Sequence, residues 1–104
     1  MTYRVLLVRE AEEQLCLANE WWAANRTSAP GLLLEEFERV ISLLEGMPGI
    51  GAVFHRANIP GVRRILLRKS GHWVYYTTDP AHAIVYVLAI WSASRGSDPP
   101  LVRR

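Results

Sequence analysis

Positive charge in the second half of this sequence gathers on one run and its surroundings: Arg63, Arg64, Arg68 and Lys69 within Val62–Lys69, and Arg95 beyond the last apolar run. Arginine is suited to bidentate contact with phosphate or carboxylate. If Val62–Lys69 is a strand, Arg64 and Arg68 share one face with Leu66 between them, and Arg63 and Lys69 bracket Ile65 and Leu67 on the other. Arg64, Arg68 and Arg95 are therefore expected to form a positive patch, with Arg63 beside it, that binds phosphates or an acidic protein surface. The plain alternative is a solvated strand face whose charges discourage edge pairing. His72 is the only histidine in an expected strand, and the one good candidate for an acid or base near neutral pH. Its place at a strand start is equally that of a surface residue with no role. Tyr75 and Tyr76 are successive, so one is expected to pack under the helices and the other to stack on a base or pack on a partner. Metal chemistry lacks a ligand set, because His55, His72, His82 and Cys16 show no ligand spacing. There is no glycine-rich phosphate cradle either, and no cofactor is expected.

These residues need elements to position them. The chain has 104 residues, half of them hydrophobic, a formal net charge of +2 and one cysteine, which describes one folded, soluble domain and excludes disordered and collagen-like classes. A lone Cys16 forms no internal disulfide, so the fold rests on its core. The longest apolar run, Ala83–Trp91, is about half of the roughly 20 residues a spanning helix needs, and a cytoplasmic protein is expected. The charge is unevenly placed. Residues 1–52 carry four Arg against eight Glu, a net of −4, and residues 53–104 carry seven Arg and one Lys against two Asp, a net of +6. Such asymmetry points to a nucleic-acid or acidic-protein partner for the basic half.

Thr2–Val8 is Val- and Leu-rich and runs into the acidic cluster Glu10, Glu12, Glu13, so a strand is expected to lead into a helix of about 10–25. Ala11, Leu15, Ala18 and Trp22 make its buried stripe. Trp21, about 100° away, lies at the stripe's edge, either as boundary packing or as an anchor for a partner. Thr27, Ser28 and Pro30 offer capping chemistry for a second helix of about 29–45, with a stripe of Leu33, Phe37, Val40, Ile41 and Leu44. The short link makes the two helices an antiparallel hairpin. Residues 48–60 are expected to be irregular. Val62–Lys69, His72–Thr78 and Ala83–Trp91 follow as strands joined by short turns. The expected architecture is α+β with the order βααβββ: an antiparallel sheet with an N-terminal strand, the helical hairpin on one face, and a C-terminal three-stranded meander. The last strand does not alternate, so both its faces are buried. The second face is covered either by the chain's own loop 48–60 and C-terminal tail, or by another chain.

The order of elements and several strings resemble the RelE/ParE superfamily of small bacterial toxins, which includes plasmid stabilisation proteins. The strings are Ala11-Glu12-Glu13-Gln14-Leu15, Phe37 with Leu43-Leu44 and Met47-Pro48-Gly49, Val62-Arg63-Arg64-Ile65-Leu66-Leu67, Gly71-His72-Trp73-Val74-Tyr75-Tyr76, and Val87-Leu88-Ala89-Ile90-Trp91 with Arg95 after it. The resemblance covers nearly the whole chain. It implies one toxin domain over 1–104, cytoplasmic and neutralised by a cognate antitoxin encoded beside it. It also implies one of two activities: ribosome-dependent mRNA cleavage, as in RelE-like members, or inhibition of DNA gyrase by binding, as in ParE-like members.

RNA cleavage through the 2′-hydroxyl needs a base, an acid for the leaving oxygen, and cations at the phosphorus. RelE-like nucleases use several Lys and Arg with a Tyr or a His-Tyr pair near the C-terminus. Here Lys69 is the only lysine, and Ser92-Ala93-Ser94-Arg95-Gly96 holds neither His nor Tyr. The expectation is therefore a ParE-like growth inhibitor acting on gyrase, although Ser92 and Ser94 also depart from the basic or His residues often found there. The alternatives are a RelE-like endonuclease drawing on His72, Tyr75 or Tyr76, and an inactive relative that only binds antitoxin. Trp21 and Trp91 are the candidate antitoxin contacts. An antitoxin helix followed by an extended stretch is expected over the groove between hairpin and sheet, or, in a weaker form, a homodimer through the same surface.

Overall fold

The computed structural model describes residues 2–101, so the basic end of the tail, 102–104, lies outside the described residues. Strand β1 (Arg4–Leu7) leads into helix α1 (Arg9–Asn25), which is followed by helix α2 (Leu32–Gly46), a two-residue strand β2 (Ala52–Val53), and the long strands β3 (Arg63–Leu67), β4 (His72–Asp79) and β5 (Ile84–Ser92). The five strands lie in the order β1-β5-β4-β3-β2. The α+β order βααβββ is thus observed, with β2 added inside the loop that was expected to be irregular.

The sheet is mixed, which corrects the antiparallel expectation: β1 pairs with β5 in parallel, and the other pairs are antiparallel. Two tight hairpins reverse the chain twice, so β3 and β5 run the same way. The helices carry the chain from β1 across one face and return it in β1's direction, the crossover that parallel pairing requires.

Helix α1 buries Ala11 and Trp22, with Leu15 and Ala18 packed partly against the core, and α2 buries Leu33, Phe37, Val40 and Leu44. Both stripes are those read from the 3.6-residue spacing. The start of α2 differs, because Gly31 rather than a hydroxyl side chain occupies its N-cap. The Trp22 indole N–H donates to the Ala29 carbonyl at 2.8 Å, and this bond commits the Thr27–Pro30 stretch to the interhelical turn.

Strand β3 ends at Leu67, two residues before the expected Lys69, and the cause is Glu36. This carboxylate of α2 is only 7% exposed and accepts the backbone N–H of Lys69 at 2.9 Å and of Ser70 at 2.8 Å. Those donors turn away from the sheet ladder, and Gly71, at φ +75°, completes the turn into β4.

The absence of alternation in β5 has a local origin. Tyr75 pairs with Ala89 but Tyr76 pairs with Val87, so Leu88 is an extra residue opposite their junction. The bulge lets Val87, Leu88, Ala89 and Ile90 all be buried. Segments of the chain itself reach the outer face. Phe54, from the loop after α2, meets the Tyr75 ring edge-on at 5.1 Å, and the Trp91 indole N–H donates to the Ser97 carbonyl at 2.8 Å.

The two tyrosines do point to opposite faces, and both are buried. On the Tyr76 side, its hydroxyl accepts the Gly51 N–H at 2.8 Å, and burial pushes its pKa up. A Cβ at Gly51 would sit 2.7 Å from that hydroxyl, which is why glycine stands there. Among the described residues no helix is long and apolar enough to cross a membrane.

Candidate functional site

The pairings Arg64 with Tyr75, Tyr75 with Ala89, Leu66 with Trp73 and Trp73 with Trp91 set Arg64, Trp73, Tyr75 and Trp91 on one face of the sheet, the face away from the helices. Arg95 and Asp98 come over this face from the bend after β5, and Arg56 comes from the loop before β3. Together they line a pocket of about 270 Å³.

Its cations rest on rings. The Arg64 guanidinium carbon lies 3.8 Å from the Trp73 ring centroid and 5.0 Å from that of Phe54, and its Nη1 donates to the Tyr75 hydroxyl at 3.2 Å. Arg95 lies 4.0 Å over Trp91, and Arg56 lies 5.0 Å over Phe54. Stacking holds each guanidinium in place and leaves the Arg95 fork without a side-chain hydrogen bond among the described residues, which pre-organises it for an anion. Arg56 also donates twice to Asp98, at 3.1 and 3.3 Å. The guanidinium holds that carboxyl below the ordinary aspartate range, and the carboxylate raises Arg56 in turn. Three guanidinium groups against one carboxylate leave the pocket cationic.

Of the patch expected from sequence, Arg64 and Arg95 come together here. Arg63 and Arg68 do not. Arg63 lies on the other face, where Nη1 donates to the Gly51 carbonyl at 2.8 Å, and Arg68 is exposed in the turn after β3, which ended too early to carry it. Trp91 lines the pocket, and Trp21 lies across the sheet on α1. Trp73, Arg56 and Asp98 were missed. Trp73 was legible, since it shares Tyr75's face at i−2, whereas Arg56 sits in a loop with no periodicity to place its side chain.

His72 does not join the pocket. It pairs with Leu67 and Ser92 at the sheet's end, and its side chain lines a separate groove with α1. Its Nδ1 is buried without a hydrogen-bond partner, and burial pulls its pKa below the ordinary histidine value. The unfolded chain therefore takes up this proton at a higher pH than the folded one, and stability is lost as pH falls from the unfolded pKa towards the folded one. Acidifying from neutral pH towards pH 5 should lower the melting temperature of the native chain more than that of His72→Gln, as followed by circular dichroism.

The sequence matches no protein-family model and none of the curated proteins. Solved structures do match. A double arginine-to-alanine mutant of the Escherichia coli toxin RelE in its free state is 20% identical, with 90% of this chain and 86% of that one covered and a TM-score of 0.60. The RelBE2 toxin–antitoxin complex of Mycobacterium tuberculosis gives 19%, 88% and 99%, and 0.62. The chromosomal ParDE system of Pseudomonas aeruginosa gives 14%, 89% and 98%, and 0.60. The likeness is one of architecture carried by few identical residues, and it agrees with the resemblance in the strings: this chain has the RelE/ParE toxin fold.

Proposed function

We propose that this chain is the toxin of a type II toxin–antitoxin pair, residues 1–104 forming one toxin domain, and that it arrests bacterial growth from the cytoplasm as a ParE-like inhibitor. Its target on this reading is DNA gyrase, which it blocks by binding, and a cognate antitoxin neutralises it. The observation that carries the choice is the make-up of the cationic pocket. Among the described residues neither a histidine nor a lysine lines it, and the one carboxylate there, Asp98, is held below the ordinary range by Arg56. A general base works best with a pKa near the operating pH, so Asp98 is a poor one. His72 lines a different cavity. Apart from the Tyr75 hydroxyl, which accepts from Arg64, what the pocket offers is fixed positive charge and ring faces, which suit binding.

A RelE-like endonuclease is the second reading. The stacking of Arg64 on Trp73 and of Arg95 on Trp91 favours it, because paired cations and rings also suit a phosphate with its neighbouring base. Expression of the chain without its partner should stop growth, and the purified chain should inhibit gyrase supercoiling without altering mRNA ends on ribosomes. Codon-specific mRNA cleavage would establish the endonuclease instead, and unimpaired growth would leave only antitoxin binding.

A further inference from the structure

The floor of the cationic pocket is sheet, but part of its wall is the chain's own tail. Ser97 and Asp98 line it from the stretch that follows the bend after β5. Three successive residues of that stretch are seated. The Ser97 carbonyl accepts the Trp91 indole N–H at 2.8 Å, the Asp98 carboxylate accepts two N–H groups of Arg56 at 3.1 and 3.3 Å, and Pro99 is buried. Leu101, at the end of the described residues, packs partly against the core.

The residue types hold this stretch extended. A residue before proline is pushed out of the helical region, and two prolines in succession have fixed φ and no N–H to give to a sheet. Asp98-Pro99-Pro100 therefore lies on the pocket as a stiff segment rather than as a sixth strand, and little chain entropy is left to lose on seating Asp98. The seat is weakly closed. Arg56 and Asp98 keep side-chain exposures of 65% and 45%, and an ion pair so open to water contributes little by itself. Attachment compensates, because a tethered carboxylate is present at high effective concentration. The charge of Arg64 also bears on this carboxylate, yet neither Arg64 nor Arg95 has a carboxylate in ion-pairing reach among the described residues.

We propose that residues 97–101 are a strap that occupies the pocket in place of its ligand, and that the ligand is an extended acidic peptide segment whose carboxylate displaces Asp98 from Arg56. The seated tail displays the pattern such a segment takes up: a carbonyl on the indole N–H, a carboxylate on the next residue, and an apolar side chain after it. Further carboxylates on the segment meet Arg64 and Arg95, which the strap leaves without one. In placing that segment on the toxin's target, the proposal rests on the toxin reading above. The strap and its displacement do not depend on it. A target must then outcompete the chain's own tail, so weakly matched acidic segments leave the pocket closed.

The test uses the full chain and the acetylated, amidated hexapeptide Gly-Ser-Asp-Pro-Pro-Leu, the sequence of residues 96–101, with binding followed at the ¹⁵N-labelled Arg56 Nε–H. Asp98→Asn, at an exposed position, should keep the native melting curve and bind the hexapeptide about threefold or more tighter than the native chain does. The same peptide with Asn for Asp should bind Asp98→Asn about tenfold more weakly or not at all. Pro99→Gly and the exposed Pro100→Gly leave every charge in place and loosen the tail, and each, when folded, should also tighten the hexapeptide. Equal affinity of the native chain and Asp98→Asn, or binding by neither, would overturn the strap. So would a tightening that neither proline variant shares, since charge alone would then account for it. Indifference to the Asp-to-Asn change in the peptide, or binding of oligouridylate in preference to the hexapeptide, would overturn the acidic-peptide ligand. None of these measurements uses growth, gyrase or ribosomes, so failure here and failure of the toxin reading are told apart.

Discussion

A variant with both Arg64→Ala and Arg95→Ala should no longer arrest growth, and Arg68→Ala should arrest it as the native chain does. Truncating one partner of a desolvated, hydrogen-bonded charge contact costs about 2–5 kcal/mol of binding, so losing two such contacts weakens the target complex by on the order of a thousandfold or more. The two substitutions should differ in their effect on folding. Arg95 is exposed and contributes little beyond its contact with Trp91, so its loss should leave the melting temperature nearly unchanged. Arg64 is wedged against Trp73 and Phe54 and donates to the Tyr75 hydroxyl, so its loss should cost about 1 kcal/mol, or roughly 4–8 °C. A charge patch inferred from sequence alone would have left stability untouched in both. Growth curves of the expressed variants, with thermal melts of the purified proteins, check both parts. Full arrest by a folded double variant would remove the pocket from the mechanism.

How far the sequence discloses this arrangement depends on how local the cause is. The stripes of α1 and α2 follow from the 3.6-residue period, and both helices bury or half-bury the residues that period selects. The apolar run Ile84–Trp91 was legible as doubly buried, but not the bulge at Leu88 that makes it so, because a bulge is fixed by how two strands pair. The parallel pairing of β1 with β5 depends likewise on the path of the whole chain. Placing Arg68 on β3 failed for a non-local reason: the strand is cut short by Glu36, more than thirty residues earlier in the chain. Arg64 and Arg95 were found because a strand face and a strand end are local features. Arg56 was not, because its position depends on Asp98, 42 residues away.

The two cavities share the Ser92–Arg95 bend, so its geometry bears on both. The bend is held at its start by the Gly71 carbonyl, which accepts the Ala93 N–H, while Gly71 itself closes the turn by donating to the Leu67 carbonyl at 2.8 Å. Backbone bonds thus run from the β3–β4 turn to Ala93, two residues before Arg95 in the bend that both cavities use. Whatever loosens that turn should reach Arg95.

Glu36→Ala should be the most damaging substitution of a charged side chain for the fold. It removes the acceptor of two backbone N–H groups, those of Lys69 and Ser70, at a site where the carboxylate is nearly inaccessible to water. Hydrogen bonds to a charged group contribute about 1.5–3 kcal/mol each, and a donor left unpaired in the interior costs about 1–3 kcal/mol. Water reaching the turn offsets part of this, because Lys69 is exposed, so a net loss of about 3 kcal/mol is expected, or roughly 10–20 °C in melting temperature. Glu36→Gln should lose about half as much, since its amide carbonyl still accepts one N–H while its NH₂ group confronts the other. Glu38→Ala, exposed on the same helix, should change little. The substitution also discriminates between a local and a transmitted effect. If the turn positions the bend through Gly71 and Ala93, Glu36→Gln should reduce growth arrest even at a temperature where the variant is fully folded, and its Trp91 indole resonance should broaden or shift. A variant that melts early yet keeps full arrest and an unmoved Trp91 signal when folded would confine Glu36 to stability and break the link from α2 to Arg95.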